Sequence, residues 1–125
     1  MKWTVILVDA VTDWYLDLVT DDPITAGLVA AALDQLEAEG PSLGRPLVDS
    51  IQGSAIRGVK ELRPGSRGHS EIRILFVVDP LRQAVLLVAG DKAGNWRGWY
   101  EENIPLAERR YTRWLKGEYD EERGE

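Results

Sequence analysis

Residues 71–89, EIRILFVVDPLRQAVLLVA, constrain the fold more than any other stretch of this chain. Two runs rich in valine, isoleucine and leucine are split by Asp79-Pro80. Such runs suit a pleated, buried surface, and a proline cannot donate to a strand ladder. The pair therefore predicts strands over 71–78 and 83–89, joined by a short turn. Strand side chains alternate faces. Ile72, Ile74, Phe76 and Val78 then form one uniformly apolar face, which belongs to the core. Glu71, Arg73, Leu75 and Val77 lie on the other face, where packing does not require a long cation at Arg73.

The rest of the chain is arranged around that hairpin. Trp3 to Val8 is an unbroken apolar run, short enough for a buried strand. Thr12 or Asp13 can cap a short helix carrying Trp14, Tyr15, Leu18 and Val19. Asp22-Pro23 starts a second helix, with the acid as cap and proline in the first turn. Ile24, Leu28, Val29, Ala32, Leu33 and Leu36 recur there at helical spacing, and Gly40-Pro41 stops it. Residues 40–54 read as a loop. A strand over Ile56–Arg63 ends at Pro64-Gly65, and 91–99 reads as a second loop. Pro105 opens a closing helix. The order is strand, two helices, three strands, helix. It predicts an α+β fold, a small, mostly antiparallel sheet with helices on one face and the other face open and polar. Residues 1–116 make one domain, and 117–125 an acidic tail.

A chain of 125 residues can bury one real core. It contains no cysteine, which excludes a disulfide scaffold, a thiolate metal site and a cysteine nucleophile, and suits the cytoplasm. The start, MKWTVILVDAVTDW, lacks the pattern of a signal peptide, and no apolar stretch is long enough to span a membrane. The net charge of -6 argues against a nucleic-acid partner until its distribution is considered. Residues 1–56 carry 2 basic and 9 acidic side chains, 57–116 carry 12 and 7, and 117–125 carry 1 and 5. A basic middle block thus lies between acidic ends, and local potential steers a phosphate chain.

Within that block, Val59, Glu61 and Arg63 share one strand face, and Lys60 and Leu62 the other. If Glu61 and Arg63 lie on the Arg73 face, a carboxylate stands between two guanidinium groups. Lys92 follows the last strand at its rim. A carboxylate can take a proton from a ribose 2′-hydroxyl, while arginine and lysine stabilise charge on phosphate and leaving oxygens. This pattern needs no metal and no cofactor. A plain cross-strand Glu–Arg ladder fits the same residues. Lys60, Arg63, Arg67, His69, Trp96 and Arg110 are candidate RNA contacts. His69 is the only histidine, and Trp96, Trp99 and Tyr100 can stack on bases or pack in the core. Arg109, Arg110, Arg113 and Lys116 form a basic stripe at helical spacing.

The stretch 59–116 resembles the RelE/ParE toxin superfamily, in its HigB-like, phage-derived branch. The resembling pieces are Val59-Lys60-Glu61-Leu62-Arg63, Glu71-Ile72-Arg73-Ile74-Leu75-Phe76, VLLVAGDK ending in Lys92, and IPLAERRYTRWL. The loop EAEGPSLGRPLVDSIQGS and the strand Trp3–Val8 extend the likeness over nearly the whole chain. The resemblance implies a type II toxin–antitoxin toxin: a metal-independent endoribonuclease that cleaves mRNA on the ribosome. A helix-turn-helix antitoxin would hold it inactive. Arg73 matches the arginine of the family's conserved strand, Lys92 the basic residue after the last strand, and Glu61 and Arg63 a Glu-Leu-Arg element in which some relatives place a base. The implied catalytic set is Glu61, Arg73 and Lys92. Relatives use a tyrosine or histidine near the final strand; Trp96, Trp99 or Tyr100 stands in the corresponding stretch. Two other functions fit the same fold, a non-enzymatic ParE-like inhibitor of DNA gyrase and a degenerate toxin that acts only as a binding partner.

Overall fold

The predicted hairpin is the centre of the sheet. The computed structural model describes residues 2–65 and 68–118. The elements are β1 (Thr4–Leu7), α1 (Asp9–Asp21), α2 (Pro23–Glu39), a 3-10 turn (Gly40–Ser42), β2 (Val48–Ser50), β3 (Lys60–Leu62), β4 (Ile72–Val78), β5 (Gln83–Asp91) and α3 (Trp96–Leu115). The strands lie in the order β1-β5-β4-β3-β2. Every neighbouring pair is antiparallel except β1 with β5, which runs parallel from Thr4↔Gln83 to Leu7↔Leu86. This is the α+β, mostly antiparallel architecture expected from the pattern of runs.

The β4–β5 register slips between Leu75 and Phe76: Leu75 faces Val88, but Phe76 faces Leu86. Leu87 is therefore the extra residue of a bulge. Its carbonyl accepts a hydrogen bond from Arg110 on α3 at 2.8 Å. The centre of the sheet is buried on both faces, for residues 74–77 and 84–88 are all buried. The face expected to be open is thus covered, because α3 lies across it. Tyr100 donates to Glu61, and a Cβ on Gly90 would point at the Trp99 indole. The α1 helix packs on β5, and α2 packs on β1 and α1.

Local chemistry sets the helix ends. Asp22 caps α2, accepting from the Thr25 amide at 3.2 Å and the Thr25 hydroxyl at 2.6 Å, with Pro23 in the first turn. Gly40 ends α2 at φ 57°, and a Cβ there would lie 2.4 Å from the Trp3 ring. Only glycine meets both demands. Four boundaries differ from expectation. The α1 helix starts at Asp9, so Thr12 sits in its first turn and its hydroxyl bonds the Leu7 carbonyl at 3.4 Å. The loop 40–54 contains β2, and the strand predicted over 56–63 is ordered as a ladder only over Lys60–Leu62. Pro105 lies inside α3 and does not open it. Burial of Trp99 before it and of Ala107 and Tyr111 after it holds the helix to the sheet despite the missing amide.

Among the described residues no helix is long and apolar enough to cross a membrane. Arg67 and most of the acidic tail lie outside the described residues.

Candidate active site

Glu61 is the centre of the site. It stands in the middle of β3, opposite Leu75 of β4 and Asp49 of β2, and only 1% of it is exposed. A carboxylate so buried requires partners. Arg63, two residues on and hence on the same face, donates from Nε to Glu61 Oε1 at 2.8 Å. Arg73 enters from β4, with Nε 3.7 Å from the same oxygen. That separation is an ion pair, too long for a hydrogen bond. Its Nη1 donates to the Ile72 carbonyl at 2.7 Å, which holds the side chain along the sheet. The Tyr100 hydroxyl, from the first turns of α3, donates to Glu61 Oε2 in a short hydrogen bond. Both oxygens of the carboxylate are thus engaged, by donors from the residue that follows β3 and from α3.

Lys92 closes the cluster at the end of β5. Its ammonium lies 4.8 Å from the Trp96 ring centre, 5.3 Å from that of Tyr100, and 4.0 Å from Glu71 Oε2. It is buried among these rings. Desolvation first, and the Arg73 guanidinium next, hold its titration below the ordinary lysine value. Burial and the bond to Glu61 push the Tyr100 phenol well above its ordinary value, so it remains a donor. The hydrogen bond to Glu61 holds Arg63 more firmly protonated. On the outer side Arg63 also reaches Asp49 at 3.4 Å, and Asp49 pairs with exposed Arg45 at 3.1 Å. Trp96 and Trp99 each meet Tyr100 edge-on, at 5.8 and 5.2 Å.

The fold thus brings together Glu61, Arg63, Arg73, Lys92 and Trp96, drawn from three strands and a helix. Other candidates fall elsewhere. Lys60 follows the alternation to the opposite face and donates to the Pro41 carbonyl at 3.3 Å. Arg110 is spent on the bulge carbonyl of Leu87. His69 is exposed in the turn before β4. Two residues escaped the sequence reading in these roles. Tyr100 emerges as the donor to Glu61, and its four-residue spacing from Trp96 was the signal for it. Asp49 lay in a stretch read as a loop, with no periodicity to place it. Among the described residues no group of three His, Asp or Glu side chains is placed to hold a metal ion.

Comparison with known proteins identifies the family. The family model described as "Phage derived protein Gp49-like (DUF891)" matches residues 17–112. The chain belongs to this Gp49-like family. Its relatives include "Putative toxin HigB3" of Mycobacterium tuberculosis (strain ATCC 25618 / H37Rv), 49% identical over 115 residues, or 92% of this chain and 96% of that protein. "Putative toxin HigB2" of the same organism is 50% identical over 108 residues, 86% of this chain; the match spans 52% of that longer protein. A solved structure of E. coli toxin RelE, a double arginine-to-alanine mutant in the free state, superposes with a TM-score of 0.58. It is 12% identical and the match covers 82% of this chain and 94% of that one, a likeness of fold. The Gp49-like chain is thus similar to HigB toxins in sequence and to RelE in fold. Its buried carboxylate and surrounding cations occupy the sheet of that fold under the start of the last helix.

Proposed function

We propose that this HigB-like chain is the toxin of a type II toxin–antitoxin pair and acts as an endoribonuclease on mRNA at the ribosome. One observation carries the chemistry: a buried carboxylate, Glu61, held between Arg63, Arg73 and Tyr100, with Lys92 alongside. Three cations around one carboxylate leave positive charge for a phosphodiester. Arg73 and Lys92 stabilise the charge that builds on the phosphate oxygens and on the departing 5′-oxygen. Glu61 is the base. Because Tyr100 covers Oε2, the proton path runs through the phenol. The ribose 2′-hydroxyl gives its proton to the Tyr100 oxygen as Tyr100 passes its own to Glu61. The freed 2′-oxygen then bonds phosphorus and the bond to the 5′-oxygen breaks. These groups all belong to the chain, so the reaction needs no metal ion. Trp96, exposed at the mouth, offers a flat face to a base. The place of action is the cytoplasm, and the neutralising partner a helix-turn-helix antitoxin, as in the families it resembles.

Expression without the partner, followed by primer extension on cellular mRNA, tests this. Cuts within reading frames are expected, together with growth arrest. Arg73→Ala lowers cleavage by about 10²–10³-fold, the ordinary loss for one transition-state donor. Growth arrest with intact mRNA and a DNA-damage response overturns the nuclease in favour of the gyrase inhibitor. A folded Arg73→Ala protein that still cuts removes Arg73 from the site.

A further inference from the structure

Asp49 and Glu61 face each other across the β2–β3 ladder, two carboxylates on one sheet face. Like charges directly opposite destabilise a sheet unless something lies between them. Arg63 lies between them: its Nε is 2.8 Å from Glu61 and its Nη2 is 3.4 Å from Asp49. The guanidinium is a rigid fork, so the two acids together fix its plane and its position. Asp49 is fixed in turn, by Arg45 at 3.1 Å and by the Ser50 amide at 2.9 Å. Its titration is held below the ordinary carboxylate value, first by the bond to Arg45 and then by that amide.

From this arrangement we infer that Asp49 is a positioning residue for the Glu61 base, acting through Arg63. The inference rests on the role given to Glu61 above. Asp49 does two things. It draws part of the Arg63 charge away from Glu61, and it stops the guanidinium from swinging fully onto the carboxylate. Without Asp49, Arg63 pairs with Glu61 alone. Glu61 then holds a proton less readily and is a weaker base. The other charged or titratable groups facing Glu61 are Arg73 from β4, Lys92 with Glu71 near it, and Tyr100 from α3; all of them are retained in the test.

The test substitutes Asp49→Asn, which keeps the shape and an acceptor for Arg63 but removes the charge. Cleavage of ribosome-bound mRNA is followed against pH. The expected result is a kcat lower by about three- to tenfold, with KM within about twofold. The acidic limb of the rate profile moves to lower pH, because a weaker base loses its proton sooner. In an Arg63→Ala background, Asp49→Asn has a clearly smaller effect, since the part that runs through the guanidinium is gone. An unchanged limb, or an effect of equal size in both backgrounds, overturns the inference. Carboxyl ¹³C NMR of the labelled full chain gives a reading independent of turnover: the Glu61 resonance titrates at lower pH in Asp49→Asn than in the parent. If the parent cuts no RNA while this resonance moves as expected, the nuclease reading fails and the positioning role stands. If RNA is cut normally and the resonance does not move, the positioning role fails alone.

Discussion

Gly90 stands opposite Arg73 in the β4–β5 register, on the floor of the site. A Cβ there would lie 2.8 Å from Trp99 Nε1, and 3.5 and 3.6 Å from Cε2 and Cζ2. Unstrained contacts begin near about 3.5 Å, so Gly90→Ala must push the indole back by roughly 0.7 Å. Trp99 is 8% exposed, which leaves it little free space. Overpacking of this kind costs about 1–3 kcal/mol. For a domain of this size each kcal/mol moves Tm by about 4 °C, so the expected drop is about 4–12 °C. The displacement also reaches Tyr100, whose ring meets Trp99 edge-on at 89°. The phenol tilts away from Glu61, and cleavage falls by about tenfold or more. Thermal unfolding and single-turnover cleavage of ribosome-bound mRNA measure the two effects. Adding Trp99→Phe shortens the clashing ring, so the double variant regains part of what Gly90→Ala lost. The reasoning is refuted by a Gly90→Ala protein within about 0.5 kcal/mol of the parent at full rate. It is equally refuted by strict additivity with Trp99→Phe.

Two further outcomes follow from the burial of the site. Lys92→Met removes a buried ammonium while keeping its length, so at neutral pH the variant is at least as stable as the parent, whereas cleavage drops by about 10²-fold. The folded chain binds the Lys92 proton less readily than the unfolded chain, so the parent recovers relative stability as pH rises through the lowered value toward 10.5. Denaturant melts at neutral and alkaline pH read this, and a gap that widens with pH contradicts it. Tyr100→Phe leaves one oxygen of a buried carboxylate without its donor, at a cost of about 1.5–3 kcal/mol, and it also breaks the proton path. Equilibrium unfolding and cleavage rates should fall together; full stability with full rate means that Glu61 finds another donor.

The parts of this molecule legible in its sequence are those governed by local periodicity. Alternation placed Arg73 away from Ile72, Ile74 and Phe76, and spacing placed Arg63 beside Glu61. The Asp22-Pro23 start and Gly40 stop of α2 are written in residues that act within one turn. The Glu61–Arg73 pairing was legible only as a condition, because alternation orders the faces of each strand but not of one strand against the next. The register Glu61↔Leu75 supplies that. The covered face was not legible at all. It depends on where α3 lies, and α3 starts nine residues before Pro105, in a first turn that is held helical by burial of Trp99 against the sheet. The short β2 strand escaped for the same reason, since three residues carry no periodic signal and take their conformation from β3.

The parallel seam between β1 and β5 has a consequence for how the molecule comes into being. Thr4 is synthesised well before its ladder partner Gln83, which follows 79 positions later. A nascent chain therefore exports β1 with both edges bare, and the loop it must close is among the longest the fold contains. Tyr100 is made later still. No partial chain that ends before it can cover the second oxygen of Glu61, so the buried carboxylate gains its full set of donors only with α3, after the strands that precede it have left the machinery that made them.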